Sequence, residues 1–94
     1  MKVREKYIQS YVHNGHIGVL VEFGLESSVP PSLEEFVTFA RDLAMHIAAA
    51  KPVDVQELLS QEFIKDNKKT IRQFLADTDK ELMVTAFKRF SLAN

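Results

Sequence analysis

Three histidines are the side chains of this sequence best suited to chemistry near neutral pH, because imidazole titrates there and binds metal ions. His13 and His16 flank Asn14-Gly15, and a tight turn at that pair would bring the two rings within reach of one divalent metal. A zinc site requires further ligands, and no spacing in the sequence supplies them. We therefore expect both histidines to be solvated turn residues and predict no metal site.

The third histidine, His46, lies one helical turn after Asp42 in an alanine-rich segment. In one interpretation His46 is half-buried and pairs with the Asp42 carboxylate. In the other, His46 and Phe39 form a partner-binding flank of the helix, since exposed aromatic side chains beside polar groups are typical of interfaces. The local sequence leaves both interpretations open.

No group of residues in the sequence indicates a catalytic centre. The serines, histidines and aspartates show no spacing that singles out a hydrolytic triad, and the lack of cysteine excludes thiolate nucleophiles, thiolate metal sites and disulfides. The glycines at positions 15, 18 and 24 are not followed by the lysine-threonine pair of a phosphate-binding loop. We predict that the chain is not an enzyme and needs no cofactor.

The charge balance argues against two classes of partner. The chain has 12 lysines and arginines against 13 carboxylates, so it has no overall positive field for nucleic acid or for an acidic membrane. No apolar run approaches the roughly 20 residues that span a bilayer. The N-terminus is charged and lacks the apolar segment of a secretory signal, so we expect a cytoplasmic protein.

Residues 7–23 alternate between apolar and polar side chains around Asn14-Gly15, the strongest short signal for a β-hairpin. A two-residue turn would place Val12 opposite Ile17 and Ile8 opposite Val21. This register predicts one buried face that collects the following side chains: Ile8, Val12, Ile17, Val19, Val21 and Phe23.

A long helix is predicted after a loop over residues 24–31. Ser32 and Glu35 form a capping box, which places the helix start at Ser32, and Pro52 ends the helix. An apolar stripe recurs at helical spacing and should pack on the hairpin: Leu33, Phe36, Val37, Ala40, Leu43, Ala44, Ile47 and Ala48.

The second half of the sequence predicts smaller elements. Asp54 can cap a short helical turn, residues 62–64 form a brief apolar contact segment, and Asp66 can cap a helix that ends near Asp77. Residues 82–92 are rich in β-branched and aromatic side chains, which favours a strand. The sequence thus predicts an α+β fold, with a three-stranded antiparallel sheet made of the hairpin and the C-terminal strand, and helices packed on one face.

Four ordered segments resemble the dimerisation, or core, domain of elongation factor Ts, the guanine-nucleotide exchange factor of elongation factor Tu. The segments are residues 16–22 (HIGVLVE), 42–49 (DLAMHIAA), 58–66 (LLSQEFIKD) and 87–92 (FKRFSL). The resemblance covers nearly the whole chain and implies one module over residues 1–94. It also implies elongation factor Tu, or a related translational GTPase, as partner, with His46 and Phe39 as contacts.

Members of this family that have a single module pair into homodimers through their sheets. The large apolar groups on both faces of the last strand agree with such a dimer, and we expect Phe87, Arg89 and Met83 at its interface. By comparison with a full-length factor, we expect a single module without the N-terminal helical domain, in which residues 52–58 replace a long helical insertion.

The loop departs from the family pattern. Family members have threonine-aspartate-phenylalanine-valine after the second strand, and their aspartate and phenylalanine wedge into the GTPase and release GDP. Ser28 and Val29 occupy the positions of those two residues here. The resemblance implies an exchange factor that binds its GTPase through these positions, but the replaced carboxylate and ring argue against exchange activity. A non-exchanging interaction and dimerisation module is the alternative.

Overall fold

The computed structural model describes residues 5–25, 33–78 and 82–92 and confirms the predicted α+β fold. Its elements, in chain order, are β1 (Glu5–His13), β2 (Ile17–Leu25), α1 (Leu33–Ala50), α2 (Val55–Ser60), β3 (Glu62–Phe63), β4 (Asp66–Thr70), α3 (Ile71–Thr78) and β5 (Leu82–Ser91). None of the helices in the described ranges is long and apolar enough to cross a membrane.

The predicted three-stranded antiparallel sheet forms one layer, and in it β2 lies between β1 and β5. One face of this sheet packs on α1, and the buried side chains of β2 and α1 form the centre of the core. We call this the inner face and the opposite side the outer face. A second sheet, formed by the short strands β3 and β4, lies in the part of the chain that contains α2 and α3.

The hairpin register differs from the predicted one by one residue. His13 pairs with Ile17 and Val12 with Gly18, although the His16 N–H still donates to the His13 carbonyl at 3.0 Å across the turn. A slip of one residue moves every side chain of β1 to the other face. The side chains of Ile8 and Val12, expected in the core, are therefore 61% and 67% exposed.

Aromatic packing explains this register. Tyr7 and Tyr11 take the inner face of β1, and the Tyr7 ring meets Phe36 edge-on with 4.9 Å between centroids. Two tyrosine rings cover more apolar area than Ile8 and Val12 would, so this register makes better use of the helix surface. The prediction for β2 is confirmed for Val19, Val21 and Phe23, which are buried, and Ile17 at the start of the strand is partly buried.

A bulge in β5 changes which of its side chains face the core. Glu22 pairs with Ala86 and Phe23 with Val84, so Thr85 is the extra residue. Beyond the bulge, Phe87 lies opposite Val21 and Arg89 opposite Val19, both on the inner face. Of the predicted interface residues, Phe87 and Arg89 thus point toward the helix layer, and Met83, opposite Gly24, lies on the outer face.

Helix α1 has the predicted buried stripe. Six of its predicted apolar positions are buried, namely Phe36, Ala40, Leu43, Ala44, Ile47 and Ala48, and Val37 is partly buried. The predicted cap at Ser32 and most of the predicted loop lie outside the described residues, whereas residues 24 and 25 still belong to β2. The helix ends as predicted, with the Lys51 N–H donating to the Ile47 carbonyl at 3.1 Å and Pro52 following.

The smaller helices are capped by side chains. Asp54 accepts from the Glu57 N–H at 2.8 Å, which confirms the predicted cap of α2. The predicted helix start at Asp66 is wrong, because residues 66–70 pair with β3 as a strand. A reciprocal box starts α3 instead: the Gln73 N–H donates to Thr70 Oγ1 at 3.2 Å, and the Thr70 N–H donates to Gln73 Oε1 at 2.9 Å.

Lys51 adopts a left-handed conformation with φ of 55°, which glycine tolerates better than residues with a Cβ atom. We expect Lys51→Gly to raise the free energy of unfolding by about 0.5–1 kcal/mol, measured by urea denaturation. The matched control is Ala49→Gly on the exposed side of the same helical turn, which should lower it by about the same amount. A loss of stability in Lys51→Gly would contradict this account of the helix end.

Candidate functional site

His46 lies inside the protein, where it joins α1 to the segment that follows α2. Its side chain is 1% exposed. The Ile64 N–H donates to Nδ1 at 3.2 Å, so the second ring nitrogen carries the proton, and Nε2–H donates to Gln61 Oε1 at 2.9 Å. These two bonds require a neutral ring in a single tautomer.

Burial lowers the pKa of His46 below the ordinary value for histidine, and the hydrogen bond to Gln61 opposes this effect only in part. The interpretation of a half-buried histidine paired with Asp42 is wrong. Asp42 Oδ1 instead lies 3.8 Å from Lys65 Nζ in a partly exposed ion pair. His46 is therefore a neutral residue held by two uncharged partners.

Phe39 is buried as well, in a group of aromatic rings. It stacks on Phe74 with 5.0 Å between centroids and meets Phe63 edge-on at 6.0 Å. The Phe63 ring also lies 5.9 Å from the imidazole of His46. The structure thus brings Phe39 and His46 together around Phe63, and neither side chain forms the exposed flank that the sequence suggested. Contact of either residue with a partner stays a prediction.

Two of the sequence segments singled out above touch each other at this point. His46 and Phe39 belong to α1, whereas Gln61, Phe63 and Ile64 come from residues 58–66. The sequence separation between the bonded residues is 15 for Gln61 and 18 for Ile64. The His46–Gln61–Ile64 joint was not predictable from α1 alone, and no pattern singles out Gln61, because its neighbours Ser60 and Glu62 are polar as well.

Arg89 has an internal role. Its Nε and Nη2 atoms donate to the Ala48 carbonyl at 3.1 Å and 3.0 Å, so the guanidinium binds a carbonyl of the last turn of α1. Such carbonyls lack partners within their own helix, and a cation complements the negative end of the helix dipole. Arg89 therefore fixes β5 to the end of α1, and a dimer contact by this side chain would compete with that bond.

The remaining predicted residues lie apart from this joint. His13 and His16 are exposed, and their rings bond within the hairpin, His13 Nδ1 to the Tyr11 hydroxyl at 3.0 Å and His16 Nδ1 to the Asn14 carbonyl at 2.6 Å. Within the described ranges, no group of at least three His, Cys, Asp or Glu side chains could hold a metal ion. Ser28 and Val29 lie outside the described residues.

The outer face of the sheet is a feature that the predicted register concealed. Large apolar side chains lie exposed across all three strands: Ile8 at 61%, Val12 at 67%, Leu20 at 52% and Phe90 at 64%. A surface that exposes large apolar side chains on each of three neighbouring strands is typical of a binding surface. Correct pairing of the hairpin would have placed Ile8 and Val12 on this face, whereas the position of Phe90 depends on the pairing of β5 with β2.

The lowered pKa of His46 makes stability depend on pH. The unfolded chain binds a proton at His46 below about pH 6.5, whereas the folded chain resists this proton until a lower pH. Stability should therefore fall as pH drops below about 6.5, and His46→Gln should flatten this part of the profile, measured by urea denaturation between about pH 5 and pH 8. The exposed control His16→Gln should keep the wild-type profile, and an unchanged profile in His46→Gln would refute the assignment.

Comparison with known proteins gives one family. The family model described as elongation factor TS matches residues 1–58. The elongation factor Ts of Desulfotalea psychrophila is 42% identical over 77 residues, which cover 81% of this chain and 39% of that protein. The one from Carboxydothermus hydrogenoformans is 44% identical over 70 residues, or 72% and 32% of the two chains.

A third relative gives a longer alignment. The elongation factor Ts of Oleidesulfovibrio alaskensis is 32% identical over 138 residues, which cover 94% of this chain and 70% of that protein. Because the alignment is longer than the 94 residues of this chain, it includes parts of the relative that have no counterpart here. The chain spans only about a third of the length of the first two relatives.

Proposed function

Because the chain belongs to the elongation factor Ts family, we propose that it binds elongation factor Tu or a related translational GTPase in the cytoplasm. It acts by binding and carries out no covalent chemistry of its own. The observation that supports this proposal best is the His46–Gln61–Ile64 joint, in which two segments that resemble the family meet inside one core.

The burial of His46 and Phe39 changes how these residues would serve binding. Direct contact of the imidazole with a GTPase would require residues 61–64 to move away from α1, since they bond both ring nitrogens. We therefore assign both side chains an indirect role. In this role they fix the position of the β3–β4 segment relative to α1, and the exposed side chains of these elements make the contacts with the GTPase.

Exchange activity depends on the loop. An aromatic wedge acts by filling a pocket in its partner, and Val29 is too small to fill the volume of a phenylalanine. Ser28 also lacks the carboxylate of the family motif. We propose that the chain docks on its GTPase and accelerates GDP release little or not at all.

Restoring the family residues in the loop tests this proposal. We expect Ser28→Asp/Val29→Phe to accelerate GDP release from elongation factor Tu at least tenfold over the wild-type chain, since both wedge groups return. Release is measured by stopped flow with a fluorescent GDP analogue, and binding is measured separately by calorimetry. Ser28→Asn/Val29→Leu is the matched control without charge or ring and should stay at the wild-type rate.

The two measurements separate the possible outcomes. Binding without accelerated release in the restored variant would show that the loop does not limit exchange. If neither the wild-type chain nor the restored variant binds elongation factor Tu, that GTPase is not the partner of this chain. Rapid release with the wild-type chain would contradict the role given to Ser28 and Val29.

We further propose a homodimer that forms through the outer face of the sheet. Sheets pack face to face through apolar side chains, and Ile8, Leu20 and Phe90 provide one such exposed side chain on each of the three strands. Met83 lies on this face at its end, whereas Phe87 and Arg89 support it from the inner side. The proposed interface therefore keeps Met83 of the three predicted residues and adds Ile8, Leu20 and Phe90.

A charge in the middle of the outer face should separate the copies. We expect Leu20→Glu to weaken self-association at least tenfold, because dimerisation would bury two carboxylates close to each other. Sedimentation velocity over a range of concentrations gives the dissociation constant. Val53→Glu is the matched control, since Val53 is 80% exposed in the connection between α1 and α2. A wild-type chain that stays monomeric at about millimolar concentration would exclude the dimer.

A further inference from the structure

Two charged side chains interrupt the apolar outer face near its middle. Its three central rows, read from β1 through β2 to β5, are Val12–Gly18–Phe90, Ser10–Leu20–Lys88 and Ile8–Glu22–Ala86. Glu22 and Lys88 are the only charged residues in these rows. Lys6 belongs to the next row, at the corner beside Gly24, where it can remain in water.

The carboxylate of Glu22 is held in position by the bulge. Thr85 is the extra residue of β5, and its hydroxyl lies 2.6 Å from Glu22 Oε1 and 3.2 Å from the Glu22 carbonyl. The hydroxyl bond uses only one of the two carboxylate oxygens of Glu22, which lies on β2 next to the strand that carries Lys88. Lys88 itself is exposed and takes part in neither of the ion pairs found among the described residues.

A face-to-face dimer would take both charges out of water. An unpaired charge in an apolar interface is strongly unfavourable, so each charge must meet an opposite one. Within one copy, Glu22 and Lys88 are diagonal neighbours, separated by about 4.8 Å across the strands and about 7 Å along them. Long side chains can span this separation, but neither ion pair found among the described residues joins Glu22 to Lys88, so both charges are available to a second copy.

The symmetry of a dimer limits how this can happen. A two-fold axis along β2 would set Glu22 against the second copy's Glu22, and an axis across the strands at Leu20 would set Lys88 against the second copy's Lys88. Moving the first axis by half the distance between strands, or the second by half the distance between rows, would place both charges against apolar side chains. An axis that runs diagonally between Glu22 and Lys88 brings opposite charges together twice.

We propose, resting on the sheet-mediated dimer above, that Glu22 of each copy pairs with Lys88 of the other and thereby selects the diagonal arrangement. In this arrangement Leu20 lies close to Leu20 of the second copy, and Ile8 lies close to the second copy's Phe90. The strands of the two sheets then cross steeply, in the manner of orthogonal sheet packing. Glu22 and Lys88 are the residues that determine the specificity of self-association.

Charge reversal tests the pairing. Glu22→Lys and Lys88→Glu each place like charges at both contacts, so each variant alone should self-associate at least tenfold more weakly than wild type in sedimentation velocity. An equal mixture of the two variants should recover the dimer, because each contact between unlike copies then joins a lysine to a glutamate. The control Lys6→Glu, outside the central rows, should dimerise as wild type does.

The outcomes distinguish the pairing from the dimer itself. Suppose that wild type dimerises. If the single variants dimerise equally well, or if their mixture stays monomeric, the Glu22–Lys88 pairing is wrong and the sheet-mediated dimer stands. If wild type is monomeric, the dimer and the pairing both fall. Circular dichroism of each variant checks that the fold is intact, and the double variant Glu22→Lys/Lys88→Glu, which should dimerise alone, confirms that neither substitution disrupts the sheet.

Discussion

Two hydrogen bonds to one buried imidazole connect the halves of this protein. His46 accepts from the backbone of Ile64 and donates to Gln61, so a side chain of α1 fixes the two residues that flank the short strand β3. Both ring nitrogens are used, and no buried side-chain nitrogen or oxygen among the described residues lacks a partner. Such a fully bonded polar group inside an apolar core specifies one arrangement more strictly than apolar packing alone.

The sequence predicted best what depends on local pattern. The long helix, its buried stripe, its end at Lys51 and the cap at Asp54 are all consequences of residues close together in the chain. The prediction of the hairpin register failed because the Asn14-Gly15 signal fixes the position of the turn but not the number of loop residues between the paired strands. Packing of Tyr7 on Phe36 decides that number, and both of these residues lie far from the turn.

The site was harder to predict for a related reason. A helical projection shows which residues share a flank, and it placed Phe39 and His46 together correctly, but it cannot show what covers that flank. Here Phe63 of β3 and Phe74 of α3 cover it, and no sequence pattern showed that these two elements pack against α1. The bulge at Thr85 is invisible in the same way, since one extra residue exchanges the faces of a strand without changing its composition. The Thr70–Gln73 box, by contrast, was present in the sequence as a capping signal.

The connection between α1 and α2 has a consequence for how such modules can vary in length. Residues 51–54 connect two helices whose ends are each completed by a local hydrogen bond. Lys51 bonds to Ile47 at the end of α1, and Asp54 caps the start of α2. Neither helix end therefore depends on the residues between Lys51 and Asp54. Additional chain at this point would lengthen a surface loop, at an entropic cost of only about 0.6 kcal/mol for each doubling of loop length. The connection is therefore a natural insertion point, where one core can carry either a short link or a whole additional domain.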